Sequence, residues 1–279
     1  MGTAKAIELL LGKLENQSRR VTRETIFALH ESNFQASSLN VHRILNIVVR
    51  TIQTLGWNYL ILTSLPEKEK YFSLRMAFSR EIELNYDLLY DLLSLAYNAR
   101  TLREIRDLLD NGSQPDISHA IEMLDHFVFE DIKPVLFPIL ENISNKERVK
   151  RLQYYFPIEA MEEHEMISFI LTRDYNLLSI YPRVCAMELA LTMQDFEVSQ
   201  ELIANMFHPN RLLREVAAVV THGINIDLFN SVIQRLDITI QHEIFDTLSL
   251  IGSGEKFLLI DKFNIIRNID KFTNLSEDL

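Results

Sequence analysis

The chain contains few of the residues that end or interrupt helices. Seven glycines and seven prolines occur in 279 residues, whereas these residues usually make up about 7% and 5% of a protein. Glycine and proline supply most tight turns, so this chain lacks the means to form the many hairpins of a β-sandwich or β-barrel. A glycine-rich Rossmann or P-loop nucleotide fold is disfavoured for the same reason. The composition therefore predicts an all-α protein.

Disulfides, a signal peptide and a long apolar run are also missing. The single cysteine, Cys185, cannot form an internal disulfide, which fits a reducing compartment. Residues 1–20 predict an amphipathic helix rather than a signal peptide. The most apolar stretch, 44–65, contains Arg50 and Asn58 and is a poor membrane span. We expect a cytoplasmic protein, or the cytoplasmic part of a membrane protein, with Cys185 as a buried, inert thiol.

Acidic residues outnumber basic ones, 39 to 28, which gives a net charge of −11. This charge repels phosphate backbones, so we expect no nucleic-acid partner. The excess is absent from residues 1–66, which hold seven basic and four acidic residues. Arg19, Arg20 and Arg23 in this region form a candidate surface for an acidic partner or lipid headgroups. The plainer alternative is a solvated charged face.

Apolar residues recur at helical spacing along almost the whole chain. The pattern predicts two long helices, at about 40–65 and 67–98, followed by a series of helices of 10–14 residues. We expect Gly112 to end a helix in the left-handed conformation, and Ser144 with Glu147 to form a capping box. Because a pair of such short helices cannot bury its own apolar face, the pattern is typical of an α-solenoid.

Short segments of the chain repeat in a common phase. Residues 183–191 and 214–220 lie 31 residues apart, and each has an alanine three residues after an arginine. The segment 23–29 has the same phase with Ile26 at the alanine position, and Ala120 in 119–124 lies 66 residues before Ala186, about two repeat lengths. A small residue lets neighbouring helices approach closely, and the arginine can bond to an adjacent turn. The candidate inter-repeat residues are Arg23, Ala120, Arg183, Ala186, Arg214 and Ala217.

These segments resemble HEAT repeats, whose second helix often reads as Asp, a few residues, Val-Arg, then Ala. The resemblance covers about 3–31 and 115–250, and it implies an armadillo-type superhelix into which the two long helices are inserted. The sequence departs from the family at His208, which stands six residues before Arg214, where an acidic residue is usual. An Asp–Arg ladder is therefore not implied.

The C-terminal residues 255–279 resemble the lead-in helices of a cyclic-nucleotide-binding domain. Those lead-ins read as a leucine-rich helix, an aromatic residue and Leu-Ser-x-Glu-x-Leu, which match Phe272 and the residues from Leu275 to Leu279. The β-roll that would bind the nucleotide would follow, so the resemblance implies a piece of a longer protein. We expect Gly252 and Gly254 to form a hinge before it.

Two further patterns concern aromatic and acidic runs. Trp57, Tyr59 and the run 154–156 have the spacing of core residues, although a binding surface is the alternative. The acidic run 162–165 predicts the first turn of a helix, where negative charge is favoured.

The resulting organisation has four segments: a first HEAT-like helix pair (1–38), a long helical-hairpin insertion (39–110), HEAT-like repeats (111–251), and a hinge with lead-in helices (252–279). The combination resembles bacterial multidomain proteins in which a transporter related to ATP/ADP translocases precedes HEAT repeats and a cyclic-nucleotide-binding domain follows.

The function that this resemblance implies is a non-catalytic scaffold between a transporter-like domain and a cyclic-nucleotide sensor. We expect no bound cofactor, metal or small-molecule ligand in this segment, and membrane contact only through a fused domain. One alternative is a stand-alone protein-binding adaptor. Another is an enzyme on a HEAT scaffold, such as a DNA glycosylase or a lyase, which the net charge of −11 disfavours.

Overall fold

The computed structural model describes residues 4–15, 18–194 and 196–252, and every regular element in these residues is helical. The predicted all-α class is confirmed. No helix in the described ranges is both long and apolar enough to cross a bilayer. The α-helices are α1 (Ala4–Leu14), α2 (Arg19–Glu31), α3 (Val41–Ser64), α4 (Phe72–Ala96), α5 (Ala99–Asn111), α6 (Gln114–Phe127), α7 (Lys133–Leu140), α8 (Asn145–Leu152), α9 (Glu163–Thr172), α10 (Ile180–Ala190), α11 (Gln200–Asn205), α12 (Arg211–Ile224), α13 (Ile226–Ile233) and α14 (Ile238–Gly252).

The two longest helices, α3 and α4, correspond to those predicted at 40–65 and 67–98. A single 3-10 turn, Glu69–Tyr71, precedes α4, and a second, Glu130–Ile132, precedes α7. The acidic run 162–165 begins α9 as predicted, with Glu162 and Glu165 forming a capping box.

The predicted conformation of Gly112 is wrong. Helix α5 does end at Asn111, but Gly112 has φ −78° and ψ 160°, which is extended backbone. A Cβ at this position would lie 2.2 Å from the carbonyl oxygen of Leu108 and 2.7 Å from Cβ of Asp116. Glycine is therefore required by the close approach of α5 and the start of α6, not by a positive φ.

By packing, the chain divides into two compact units, residues 1–66 with 78–160, and residues 67–77 with 161 onward. In the first unit, α3 packs against α7 and α8, α1 packs on α2, and α5 packs on α6. Helix α3 buries fourteen residues, which makes it the main apolar support of this unit.

Short helices in the second unit form two packed layers. Helices α9 and α11 contact each other, and α10, α12 and α14 contact each other in series. The layers are joined because α9 packs on α10 and α11 packs on α12. Nine of the eleven residues of α10 are buried, and they include Cys185 at 3% exposure. The prediction of a buried thiol is confirmed.

The prediction that the aromatic run 154–156 lies in the core is wrong for two residues. Tyr59 and Phe156 are buried, but Tyr154 is 79% exposed and Tyr155 is 54% exposed. Helix α8 ends at Leu152, so these tyrosines lie in the turn that follows it, where helical spacing no longer decides which side chains face the core.

Gly56 in α3 lies in close contact with side chains that follow α7. A Cβ at this position would lie 2.6 Å from Cδ1 of Ile158 and 3.3 Å from Cδ1 of Leu152. We expect Gly56→Leu to lower the free energy of unfolding by about 1–3 kcal/mol through overpacking. Urea unfolding measures the effect. Gly12→Leu in α1 is the control, because nothing lies within 4 Å of its Cβ. Equal losses in the two variants would contradict the close approach.

Candidate functional site

The most regular feature among the buried charges is an arginine at the fourth residue of α8, α10 and α12. The three residues, Arg148, Arg183 and Arg214, are 8%, 0% and 8% exposed. Each helix begins directly after a serine or asparagine N-cap. The local pattern is therefore a cap, three residues and an arginine.

Arg183 is the largest fully buried side chain in the described residues. Its Nη1 donates to the carbonyl oxygens of Ile170 and Leu171 at 3.2 and 2.8 Å, and its Nη2 donates to the carbonyl of Arg173. These carbonyls end α9, where no helical donor remains for them. The guanidinium also lies over the ring of Tyr175, 4.0 Å from its centroid. Arg183 therefore caps the preceding helix with a buried charge.

Arg148 makes the same kind of contact in the first unit. Its Nε donates to the carbonyl of Pro138 at 2.7 Å and its Nη2 donates to that of Glu141 at 3.0 Å, at the end of α7. Its guanidinium lies 4.7 Å from the ring centroid of Tyr59. Sequence reasoning missed Arg148, because Arg151 occupies the place of the alanine that marked the other repeats.

Arg214 binds both backward and forward along the chain. Its Nη1 donates to the carbonyls of His208 and Pro209 at 2.9 and 3.1 Å, and its Nη2 donates to Oε2 of Glu243 in α14 at 2.9 Å. Gln241, the fourth residue of α14, donates from Nε2 to the carbonyl of Leu236 at 2.9 Å. In α14 the amide of Gln241 thus takes the place that a guanidinium has in α8, α10 and α12.

The predicted capping box at Ser144 is half formed. The Ser144 hydroxyl accepts the Glu147 backbone N–H at 3.2 Å, as expected. The Glu147 carboxylate instead accepts from Nε of Arg151 at 3.0 Å, because that guanidinium lies one turn further along α8.

The candidate alanines share one register. Ala120, Ala186 and Ala217 are each the seventh residue of their helix, in α6, α10 and α12, and each is 0% exposed. Each therefore lies on a helix face that is closed by its neighbours.

The basic residues of α2 are placed differently. Arg19 donates to both carboxylate oxygens of Glu81 at 3.0 and 3.3 Å, and Glu81 is 1% exposed. Arg23 is the fifth residue of its helix, and its Nε lies 3.6 Å from Asp91. Arg20 is exposed. Arg19 and Arg23, two residues proposed for a partner surface, therefore have carboxylates of this chain beside them.

The predicted hinge lies at the limit of the described residues. Gly252 is the last residue of α14. Gly254 and the lead-in segment 255–279 lie outside the described residues.

The candidate site therefore consists of the recurring arginines and the carbonyls that they bind. No family model, curated protein or solved structure matches this chain. The contacts of the recurring arginines therefore indicate their role.

The described ranges also contain a shallow cavity of about 390 Å³ and no group of residues that could hold a metal ion. The cavity is formed by α11 and the turns after α11 and α13, and the guanidinium of Arg235 lies 5.5 Å from the ring centroid of Phe207 there. The other lining residues are Gln200, Ile203 and Ala204.

His208 connects two of the arginine caps. Its ring stacks on Tyr175 with centroids 4.9 Å apart, and its Nδ1 accepts the Asn210 backbone N–H at 3.0 Å. Burial lowers the pKa of His208, and the positive charges of Arg183 and Arg214 lower the pKa further. A neutral imidazole fits this position, because Nδ1 must keep its lone pair.

The second prediction concerns the cap at Arg183. Arg183→Met removes the donors for three helix-end carbonyls, so we expect the free energy of unfolding to fall by about 2 kcal/mol or more. Urea unfolding is the measurement. Arg235→Met, at an exposed position, controls for the loss of one charge and is expected to change stability by less than about 0.5 kcal/mol. A similar small change for Arg183→Met would contradict its role as a cap.

The third prediction concerns pH. The pKa of His208 is lower in the folded state than in the unfolded state, so the unfolded state binds the proton more readily. Its contribution to stability is complete above the unfolded pKa of about 6.5 and is lost as pH falls through that value toward the folded pKa. We expect His208→Gln to lose less stability than the wild type between pH 7.5 and 5 in urea unfolding. Parallel pH profiles would contradict this coupling.

Proposed function

We propose that the chain is a non-catalytic helical-repeat scaffold, built as a HEAT-like α-solenoid, that connects neighbouring domains. The observation that supports this proposal is the cap that recurs at Arg148, Arg183, Arg214 and, with an amide, Gln241. Arg148 and Arg183 bind carbonyls at the end of the preceding helix, whereas Arg214 and Gln241 bind carbonyls of the turn that leads into their own helix. Repetition of one joint along a chain is typical of a scaffold in which each repeat contacts its neighbours.

The pairs of the second unit are also joined to each other. Arg214 in α12 donates to Glu243 in α14 at 2.9 Å, so a guanidinium that caps one pair also binds the next. Direct packing of α10 on α12 and of α12 on α14 adds apolar contact along the same layer. A displacement at α14 would therefore be passed to α12 through both a charged and an apolar contact.

The resemblance of residues 255–279 to a lead-in segment supports a cyclic-nucleotide sensor as the following domain. The resemblance to translocase fusions supports a transporter-like domain before the repeats. In such a protein the scaffold would relay a change at the sensor to the transporter, provided that it has two discrete arrangements. The repeats then supply mechanical connection and no chemistry.

The fourth prediction tests this connection in the full-length protein. We expect the reading frame to continue past the codon for Leu279 into a cyclic-nucleotide β-roll. Addition of cyclic AMP or cyclic GMP to that protein is expected to change amide hydrogen exchange in α14 and, through Arg214 and Glu243, in α12. Arg214→Gln should reduce the change in α12 while leaving that in α14.

Arg235→Gln is the matched control, because it also removes one guanidinium, from the turn before α14, but no contact to Glu243. A stop codon directly after Leu279 would contradict the connecting role and favour a stand-alone adaptor. A bound nucleotide that leaves exchange in α12 and α14 unchanged would contradict the relay.

A further inference from the structure

The shallow cavity of the second unit lies between two successive helix pairs. Helices α11 and α13 both pack on α12, and the turns that follow them carry Phe207 and Arg235, each two residues past the end of its helix. Gln200, Ile203 and Ala204 of α11 complete the wall of the cavity, whose volume is about 390 Å³.

Most of the side chains that line the cavity are apolar and open to solvent. Phe207 is 41% exposed, Ala204 is exposed and Ile203 is half-buried. Gln200 adds an amide, which can both donate and accept a hydrogen bond. An apolar wall with one amide and one guanidinium is suited to an apolar group that has a polar or charged group beside it.

The guanidinium of Arg235 has a different kind of contact from those of the capping arginines. They bind carbonyl oxygens, whereas Arg235 lies over the ring of Phe207, 5.5 Å from its centroid. The nearby carboxylate of Asp237 accepts the backbone N–H of Thr239 at 2.9 Å, at the start of α14. Within the described part of the chain, no carboxylate or carbonyl oxygen pairs with the guanidinium of Arg235. Because the ring covers one face of this guanidinium, its planar edge of N–H donors remains for a carboxylate of another molecule.

The cavity belongs to an edge that the turns of three helix pairs form. Tyr175, in the turn before α10, stacks on His208 in the turn before α12, with centroids 4.9 Å apart. Phe207 of this second turn contacts Arg235 in the turn before α14. The three turns therefore lie side by side. A cavity this shallow cannot enclose a small molecule on most of its surface, as ligand pockets usually do, whereas an extended peptide along the turns needs to place only one or two side chains in it.

We propose that this cavity binds an acidic peptide segment of a partner protein. A large apolar side chain of the peptide lies against Phe207 and Ile203, and a neighbouring carboxylate binds the guanidinium of Arg235. The inference goes beyond the proposed function and does not depend on it, because the residues of the cavity are not those that cap the helices. It applies equally to a scaffold between fused domains and to a stand-alone adaptor.

The fifth prediction tests peptide binding by fluorescence anisotropy with the chain of residues 1–279. The probes are four labelled peptides of eight residues, in which leucine or phenylalanine stands beside aspartate or glutamate. We expect at least one probe to bind saturably, and its analogue with lysine in place of the acidic residue to bind about tenfold more weakly or worse. Arg235→Glu should weaken binding of the acidic probe by about tenfold or more, and Phe207→Ala by about fivefold or more. Urea unfolding checks that both variants are folded.

Arg103→Glu and Phe27→Ala are the matched controls. Arg103 is exposed in α5 and donates to the carbonyl of Ala99 in its own helix, and Phe27 is 63% exposed in α2. Both variants should bind the acidic probe as the wild type does.

Three results would overturn the proposal. The first is the absence of saturable binding of every acidic probe to the wild type. The second is equal binding of the acidic and lysine peptides, or binding that Arg235→Glu and Phe207→Ala leave unchanged. The third is binding of N-acetyl-leucine as tight as that of the peptides, which would assign the cavity to a small carboxylate.

Discussion

The interaction on which the rest of the structure depends is the bond between a buried guanidinium and the carbonyls at the end of the preceding helix, or of the turn after it. A helix leaves its last carbonyls without donors, and burying them unpaired is costly. Arg183 resolves this for α9 with donors to three carbonyls while it is itself 0% exposed. The guanidinium and the α9 carbonyls thus compensate each other's cost of desolvation, because burying either without a partner is unfavourable.

Aromatic rings complete two of these joints. Tyr59 lies beside Arg148, and Tyr175 lies beside Arg183. Tyr175 also stacks on His208, whose carbonyl accepts from Arg214. One cap in the second unit is therefore in contact with the next through a tyrosine and a histidine. The neutral imidazole is consistent with this position, since a third positive charge would face two arginines.

The all-α class and the positions of the long helices could be predicted because they depend on local pattern. Apolar spacing and scarce glycine decide them without reference to distant parts of the chain. The repeated phase at Arg183 and Arg214 was also visible, since both precede an alanine by three residues. Arg148 was not predicted because no alanine stands three residues after it. The signal that all three arginines share is the serine or asparagine N-cap four residues before each of them.

Other features could not be predicted because they depend on packing between elements. Gly112 is extended rather than left-handed, and the need for glycine there follows from the close approach of the Leu108 carbonyl and Asp116. The exposure of Tyr154 and Tyr155 follows from where α8 ends. The partner of Arg214 on α14, Glu243, lies 29 residues away, and only the stacking of the two helices brings them together.

The most direct test of the central claim, that capping arginines join successive helix pairs, is a double-mutant cycle between Arg214 and Glu243. The free energy of unfolding would be measured for the wild type, Arg214→Met, Glu243→Gln and the double variant. If the side chains couple α12 to α14, the two losses should be non-additive by about 0.5–3 kcal/mol. Additivity to within about 0.3 kcal/mol would contradict the claim.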